Sequence, residues 1–439
     1  MTINKNGLLY CVIVGVLLCI AQMSGRSVFI GTMLCVFLLL LAWQSNKKNT
    51  LPILLFFLPW SALMKLSPGS ISVYTVGLMM VCIIAMIRSK FLIGIRELII
   101  GMILLLITLV SKLLESGTIS LGYLSFMAMI FLLPTLQKED DKDKSVFFTT
   151  VIYLSVGLIL ATFFSQFFAN DPNIKRYVTI LSYNSLTRMS GFNNDPNYYA
   201  AQITAALSGT LLMMLRGSRK QIITAAVLSI FLIYSGLITV SKTFFLVFAA
   251  MLIIWFVLLL RIQGKVSTKL IVITITTVML LFIVSSNTFQ QLFGTILNRF
   301  SMDTDMRSFT TGRTSIWGIY LREIFDNWKI LFFGKGLTSV TVEGYSTHNI
   351  LIELLFQFGL IGIPFVILWV KNLSREISIK EIIRKRKVMD LLILTVGIVV
   401  PWLSISILFF DEFFLFQWFL ILGINELCST ESKECIEKI

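Results

Sequence analysis

The chain contains a single histidine, His348, among its 439 residues. It lies in the polar segment 345–349, which leads directly into a long apolar run. Imidazole is the only side chain whose ordinary pKa lies near neutral pH, so it can accept or donate a proton under physiological conditions. His348 is therefore a candidate proton-transfer residue. The alternative is an ordinary polar residue at the start of a helix.

Three basic residues are candidates for binding an anion. Arg188 precedes the turn-forming residues 189–197, which predict a helix start at Asn197, and such a helix end favours a phosphate. A plain capped turn explains the same residues equally well. Lys242 is the only charged residue between positions 221 and 260, and Arg313 opens a predicted surface helix. Lys242 could equally be an ordinary interfacial lysine.

The elements that position these residues are membrane helices. Hydrophobic residues make up 56% of the chain and charged residues 14%, far from the composition of a soluble domain. Backbone groups cannot stay unpaired in lipid, so the spans must be helices. We expect an all-α polytopic membrane protein, a single integral domain over residues 1–439, with about 12–14 transmembrane helices of roughly 20 residues each. The candidate runs are 8–24, 28–44, 51–66, 71–87, 94–111, 119–136, 146–169, 198–215, 221–240, 243–260, 268–286, 349–370, 390–410 and 413–427.

The distribution of charge predicts the topology. With the N-terminus inside, the short cytoplasmic segments carry most of the 37 lysines and arginines, as the positive-inside rule requires. Both termini are then cytoplasmic, 371–389 is a basic cytoplasmic loop, and 287–347 is one large external loop. The basic cluster 384–387 is expected to face membrane lipids, and nucleic-acid binding is not expected.

The external loop should carry interfacial helices. Its residues Ile316, Ile319, Tyr320, Ile324, Trp328 and Leu331 recur at helical spacing, which predicts one amphipathic helix along the membrane surface. In the following helix Glu353 and Gln357 are four residues apart and share a face, so they should point into the protein or a watery cavity. This pair could be structural or catalytic.

We expect neither a metal nor another cofactor. The segment Asp303-Thr304-Asp305 is similar to the metal-binding pair of nucleotide-sugar transferases, but those enzymes have soluble folds and nucleotide sugars are not found outside the cell. A single histidine also argues against a zinc site.

Three segments together resemble the O-antigen ligase and O-antigen polymerase superfamily of bacterial envelope polysaccharide synthesis. The resemblance covers mainly residues 185–370, where the order of the motifs and their external placement match. Lys242 stands where many members have arginine, which keeps the charge but not the bidentate geometry. The matching motifs are Arg188-x-x-Gly191 through Asp195-Pro196-Asn197, then Thr311-Gly312-Arg313-x-x-x-Trp317, then Gly334-x-Gly336 with His348-Asn349-x-Leu351 and Gly359-Leu360-Ile361-Gly362.

This resemblance implies a metal-independent glycosyltransferase that polymerises undecaprenyl-diphosphate-linked oligosaccharide repeats at the external face of the cytoplasmic membrane. It implies that His348 assists the attacking sugar hydroxyl, while Arg188, Lys242 and Arg313 hold the diphosphate. The supporting residues would be Asn197, Lys335, Asn349 and Glu353. Membrane lipids surround the protein, and a chain-length regulator and a flippase are the protein partners expected.

Two other functions stay open at this stage. A ligase would use the same donor but move the finished glycan to another acceptor, and the sequence does not separate it from a polymerase. A flippase or other transporter of lipid-linked sugars would need two related halves and charges along a central path. The external loop is instead large and one-sided, and no similarity between the halves is visible.

Overall fold

The chain is mostly helical in a computed structural model. The structure describes residues 5–25, 32, 36, 50–65, 72–88, 94–114, 146–175, 177–178, 180–183, 186–193, 195–261, 285, 287–301, 310, 312–336, 341–373, 382, 387–405 and 411–429. The α-helices in these ranges are α1 (Lys5–Met23), α2 (Thr50–Phe57), α3 (Val73–Arg88), α4 (Ile95–Leu114), α5 (Val146–Phe167), α6 (Pro172–Lys175), α7 (Pro196–Arg216), α8 (Arg219–Leu237), α9 (Lys242–Arg261), α10 (Asn287–Ser301), α11 (Arg313–Asp326), α12 (Trp328–Phe333), α13 (Ile350–Leu373), α14 (Val388–Ile398) and α15 (Leu415–Ser429). Three 3-10 helices cover Leu58–Met64, Val400–Leu403 and Asp411–Phe414.

Five helices in the described part of the chain, α5, α7, α8, α9 and α13, are long and apolar enough to cross a membrane. The predicted runs 28–44, 119–136 and 268–286 fall wholly or mostly outside the described residues. The other predicted runs coincide with helices, though not always along their full length.

Two predicted spans are shorter than the sequence suggested. The run 390–410 does not form one helix, because α14 ends at Ile398 and Pro401 lies in a following 3-10 turn. The 11 residues of α14 rise only about 16 Å, against a hydrocarbon core of about 30 Å. Residues 51–66 likewise divide into α2 and a 3-10 helix that begins before Pro59. In both places proline cannot donate the backbone hydrogen bond that would continue an α-helix.

A central helix, α7, organises the bundle. Of its apolar window 89% is buried inside the protein, against 33% for α9 and 39% for α13. It packs against α5, α8, α9 and α14. The outward faces of α9 and α13 remain apolar, with Ile253 and Ile367 among their exposed residues. That pattern is expected of helices whose outer surface faces lipid.

A short antiparallel hairpin was not predicted. Strands β1 (Ile180–Tyr183) and β2 (Leu186–Met189) pair so that Leu181 lies opposite Arg188. The all-α prediction is therefore correct for the bundle but wrong for this turn. The hairpin matters because it carries one of the candidate cations.

Side-chain hydrogen bonds tie the loops together in two groups. The first group lies in or near the segments that the charge pattern assigns to the outside: Tyr177 to Lys65, Thr75 to Glu412, Ser111 to Phe333 and Thr243 to Ser404. The second group lies in or near segments that it assigns to the inside, and joins Arg216 to Asp390 and Lys387 to Leu427. Which group faces outward stays a prediction.

The second group contains two buried charges. Arg216 donates from Nε and Nη2 to the two carboxylate oxygens of Asp390, at 3.1 and 2.9 Å, and Asp390 is fully buried. Lys387 is also buried and donates to the carbonyl of Leu427 at 2.9 Å. The expectation that the whole cluster 384–387 faces lipid is therefore wrong for Lys387. The rest of that cluster lies outside the described residues.

The predicted surface helix is in fact two helices. Asn327 ends α11 and begins α12, with its side-chain oxygen accepting from the backbone N–H of Lys329 at 3.1 Å. Tyr320, Ile324 and Ile330 are buried, and this small core includes Phe356 of α13. Trp328, expected on the same apolar face, is 63% exposed. The apolar residues keep a helical spacing across Asn327, which is why the sequence predicted one helix. Asn327 nevertheless caps the second helix and so divides the two.

Candidate functional site

Arg188 lies at the junction of three segments. It is buried near the end of β2, where its Nε donates to the carbonyl of Thr239 at 3.0 Å. Its Nη2 donates to Oδ1 of Asn197 at 3.1 Å. The backbone N–H of Met189 also donates to the carbonyl of Ile238 at 3.1 Å. The guanidinium is therefore fixed between the start of α7 and the turn that joins α8 to α9.

The start of α7 is capped by a carboxylate. Asp195 is the N-cap, and its Oδ1 accepts from the backbone N–H of Asn197 at 2.6 Å. The helix begins at Pro196, one residue earlier than predicted. Proline suits this position because the first N–H of a helix has no intrahelical partner. Oδ1 of Asn197 also accepts from Oγ of Ser241 at 3.0 Å, so this amide oxygen has two donors that fix its orientation.

The turn between α8 and α9 holds these contacts in place. Thr239 and Ser241 are fully buried, and Val240 between them has a backbone φ of +47°. A β-branched residue rarely adopts this left-handed region. The next residue, Lys242, begins α9, so this candidate cation follows directly after the turn that binds Arg188.

The ammonium group of Lys242 is directed towards α10. Its Nζ lies 5.9 Å from the ring centroid of Phe300, a distance at which a cation is attracted to an aromatic face. The neighbouring Thr243 donates from Oγ1 to Oγ of Ser404 at 3.1 Å. The structure thus places Lys242 directly after the Arg188 turn, with its ammonium group over the Phe300 ring of α10.

His348 lies just before α13. Its Nε2 and the hydroxyl of Ser346 are 2.9 Å apart, in a hydrogen bond whose direction depends on the tautomer. Its Nδ1 is buried and has no hydrogen-bond partner among the described residues. The backbone of His348 is left-handed, with φ of +47°.

Two charges from distant parts of the sequence act on this imidazole. The pKa of His348 is lowered from its ordinary value, first by burial and next by the positive charge of Arg313. The negative charge of Asp195 opposes this and raises the pKa. The positive charge of Arg313 disfavours the protonated ring, and the negative charge of Asp195 favours it. A neutral imidazole at neutral pH can accept a proton.

Arg313 is placed by the start of α11. Gly312 precedes it with φ of +81°, and the backbone N–H of Arg313 donates to the carbonyl of Thr310 at 3.2 Å. Arg313 is half-buried. Trp317, one helical turn after Arg313, donates to the carbonyl of Thr347, so this part of α11 contacts the segment before His348.

The four predicted supporting residues have separate tasks. Asn197 binds Arg188 as described above. Asn349 caps α13, since its Oδ1 accepts from the N–H groups of Leu351 and Ile352 at 2.9 and 3.3 Å. Lys335 is directed to the interface of α11 with α13, with Nζ 3.4 Å from Oε1 of Glu323 and 5.7 Å from the ring centroid of Phe356. It is engaged in holding these helices together.

Glu353 joins the segment before His348 to α13. One of its carboxylate oxygens accepts from Oγ1 of Thr347, and the other accepts from Nε2 of Gln357 at 2.7 Å. The predicted pairing of Glu353 with Gln357 on one helix face is therefore present. Its nearest link to the histidine is through Thr347, the residue before it.

A break in α13 receives the end of α12. At Gly359 the backbone is non-helical, with φ of +61° and ψ of −177°. The N–H groups of Lys335 and Gly336 donate to the carbonyls of Phe356 and Gln357, at 2.7 and 3.0 Å. A Cβ on Gly334 would lie 2.3 Å from the carbonyl oxygen of Gln357, so only glycine allows this approach.

Sequence reasoning missed the role of Asp195. Its position before Pro196 is a helix N-cap signature, but the sequence analysis placed the helix start at Asn197 and assigned no role to Asp195. Nothing in the sequence indicated that the same carboxylate influences His348, because that effect depends on how two loops meet. Trp317 was noticed only as part of a motif, although its indole N–H donates to the carbonyl of Thr347 at 3.1 Å.

No protein-family model matches the sequence, and no curated protein is significantly similar to it. What the site can do must therefore be derived from its own residues. It combines buried or half-buried cations, the N-terminal end of α7 and one imidazole whose lowered pKa favours the neutral form. Such a group of residues suits a reaction in which a proton leaves a nucleophile and negative charge develops on a phosphate.

Proposed function

We propose that this chain is a membrane glycosyltransferase that polymerises undecaprenyl-diphosphate-linked oligosaccharide repeats. The contact between α11 and the segment before the only histidine supports this proposal most directly, because Trp317, four residues after Arg313, donates to the carbonyl of Thr347 at 3.1 Å. The positive charge of Arg313 also lowers the pKa of His348, and the negative charge of Asp195 raises it. Arg188 is bound to Asn197 at the start of the helix that Asp195 caps. In this proposal the three motifs similar to the O-antigen superfamily each supply a part of one site.

In the proposed reaction, the hydroxyl of the acceptor sugar attacks the anomeric carbon of the donor glycan. The new glycosidic C–O bond forms while the C–O bond to the lipid diphosphate breaks, and the electron pair of that bond stays on the diphosphate. His348 accepts the hydroxyl proton. General-base assistance of this kind contributes about 10²- to 10⁴-fold to a rate.

The cations stabilise the departing diphosphate. Arg188 and Arg313 supply positive charge near the developing anion, and the positive end of the α7 helix dipole adds to it. Lys242 contributes a charge at the adjoining turn. Because charge on the diphosphate increases as the bond breaks, these interactions are stronger in the transition state than with the bound donor.

The deciding experiment is a reaction with purified protein in liposomes. The substrate would be lipid-linked repeats extracted from cells that lack this protein. We expect a ladder of lipid-linked products with the wild type and none with His348→Ala. A single transfer to a second acceptor would support a ligase in place of a polymerase. Wild-type export of glycan by His348→Ala and Arg313→Ala would contradict the proposal and favour a transporter.

A further inference from the structure

The segment leading to His348 is held by two different helices. Thr347, only 2% exposed, accepts a hydrogen bond on its carbonyl from Nε1 of Trp317 in α11, at 3.1 Å. Its hydroxyl donates to the carboxylate of Glu353 in α13. The other oxygen of that carboxylate accepts from Gln357 at 2.7 Å. A single buried residue thus links α11 to α13 immediately before the histidine.

Tyr320 holds the same segment at residues that precede Thr347 in the sequence. The hydroxyl of Tyr320 donates to the carbonyl of Tyr345 at 2.7 Å and accepts from the N–H of Val342 at 3.3 Å. Trp317 and Tyr320 are three residues apart on α11, and Arg313 lies four residues before Trp317. Residues at these spacings share one helix face. The face that begins with Arg313 therefore also holds the chain that ends in His348.

The backbone of His348 requires such support. A residue other than glycine with φ of +47° is strained, and this conformation persists only where its surroundings enforce it. Thr347 is fixed on one side, and on the other side Asn349 is fixed as the cap of α13. Both neighbours of the strained residue are therefore anchored to α13, and Thr347 is also anchored to α11.

We propose that Thr347 is a positioning residue, which sets the distance and orientation of the His348 imidazole relative to Arg313 through its two hydrogen bonds to Trp317 and Glu353. This inference rests on the proposed function, because it assigns the residue that aligns the base with the diphosphate-binding cation. Loss of either bond would let the segment relax from its left-handed conformation. A misplacement of about 1 Å of a catalytic group can reduce a rate by about 100-fold.

The test compares three variants with a matched control. Thr347→Val keeps the shape of the side chain but removes the hydroxyl, Thr347→Ser restores the hydroxyl, and Trp317→Phe removes the indole N–H. The control is Thr224→Val, since among the described residues the hydroxyl of Thr224 bonds only to the Lys220 carbonyl of its own helix α8, at 3.0 Å. With lipid-linked repeats as substrate, we expect Thr347→Val to lower kcat by about 10- to 100-fold with an unchanged KM. Thr347→Ser and the control should resemble the wild type.

The imidazole also provides a direct readout that does not require turnover. Since His348 is the only histidine, protein labelled with [¹⁵N]histidine and purified without a polyhistidine tag gives a single imidazole signal. Loss of the anchor should move the pKa of His348 back towards its ordinary value as burial decreases. A residue that only stabilised the fold would lower the yield of folded protein without moving this titration.

The outcomes separate the two proposals. If His348→Ala transfers sugar as fast as the wild type, the proposed function fails, and the positioning role fails with it. If His348→Ala is inactive but Thr347→Val matches the wild type in kcat and in the histidine titration, only the positioning role is overturned. A loss of kcat in Thr347→Val that Thr347→Ser does not restore would also overturn it.

Discussion

Replacing Arg188 with lysine should reduce activity sharply even though the positive charge is kept. The guanidinium donates in two directions, to the carbonyl of Thr239 at 3.0 Å and to Oδ1 of Asn197 at 3.1 Å. A lysine ammonium is a point charge that cannot reach both acceptors from one position. Loss of one hydrogen bond to a charged group costs about 1.5–3 kcal/mol. If the same geometry is needed in the transition state, the rate falls by roughly 10- to 150-fold.

Burial of the Arg188 partners increases the expected effect of this substitution. Thr239 is fully buried, so its carbonyl cannot replace the lost donor with bulk water. Asn197 keeps its bond from Ser241 at 3.0 Å, which should hold the start of α7 in place. Arg188→Lys is therefore expected to fold and to lose more rate than stability. Arg188→Gln should lose more activity than Arg188→Lys, because it also loses the positive charge.

The assay is the liposome reaction, with initial rates measured over a range of lipid-linked repeat concentrations. Thermal unfolding of each variant, followed by the fluorescence of the eight tryptophans, would check that the protein is folded. The matched control is Arg219→Lys, because Arg219 is exposed at the start of α8. A folded Arg188→Lys variant with the wild-type rate would refute the reasoning, since it would show that the two-directional geometry of Arg188 is not used.

Three further predictions concern charge and packing. The acid limb of kcat/KM should lie below the ordinary histidine pKa of 6.5, because the pKa of His348 is lowered. Arg313→Gln should move this limb to higher pH and Asp195→Asn should move it to lower pH, and shifts in the opposite directions would contradict the assignment of the limb to His348. Arg216→Ala should destabilise the protein by about 3–5 kcal/mol in chemical unfolding, because the carboxylate of Asp390 would be left buried and unpaired, and an unchanged midpoint would show that water reaches it. Gly334→Ala should lower the melting temperature, because its Cβ would collide with a carbonyl of α13. Gly318→Ala in α11 meets nothing within 4 Å and should stabilise that helix by about 0.5–1 kcal/mol, so equal effects of the two changes would be inconsistent with the packing.

The sequence predicted well those features that depend on local patterns. Apolar runs of about 20 residues predicted α7, α8 and α9 almost to their ends, because the bilayer sets their length. The N-terminal turn of α7 was placed within one residue, since Asp195 and Pro196 are strong start signals. The pair Glu353 and Gln357 followed from helical spacing alone.

Features that depend on contacts between distant segments could not be predicted. The effect of the Asp195 charge on the pKa of His348 depends on how the start of α7 and the segment before α13 are arranged, and local sequence patterns carry no information on that arrangement. The sequence grouped Lys387 with a basic cluster, yet its side chain is buried and donates to the carbonyl of Leu427 in the last turn of α15. The division of α11 from α12 depends on one asparagine whose capping bond outweighs the continuing apolar spacing.

The turn at Val240 has a consequence for efforts to make this protein more robust. Its left-handed backbone places a β-branched residue in a region that glycine occupies without cost, between the carbonyl that binds Arg188 and the hydroxyl that binds Asn197. Glycine at this position would not be a simple gain, because Val240 is 1% exposed in the main apolar core and its loss would leave a cavity. Val240→Gly would also loosen the guanidinium of Arg188. The apolar packing of Val240 therefore keeps the turn in its left-handed conformation, and heat resistance should be sought at other positions.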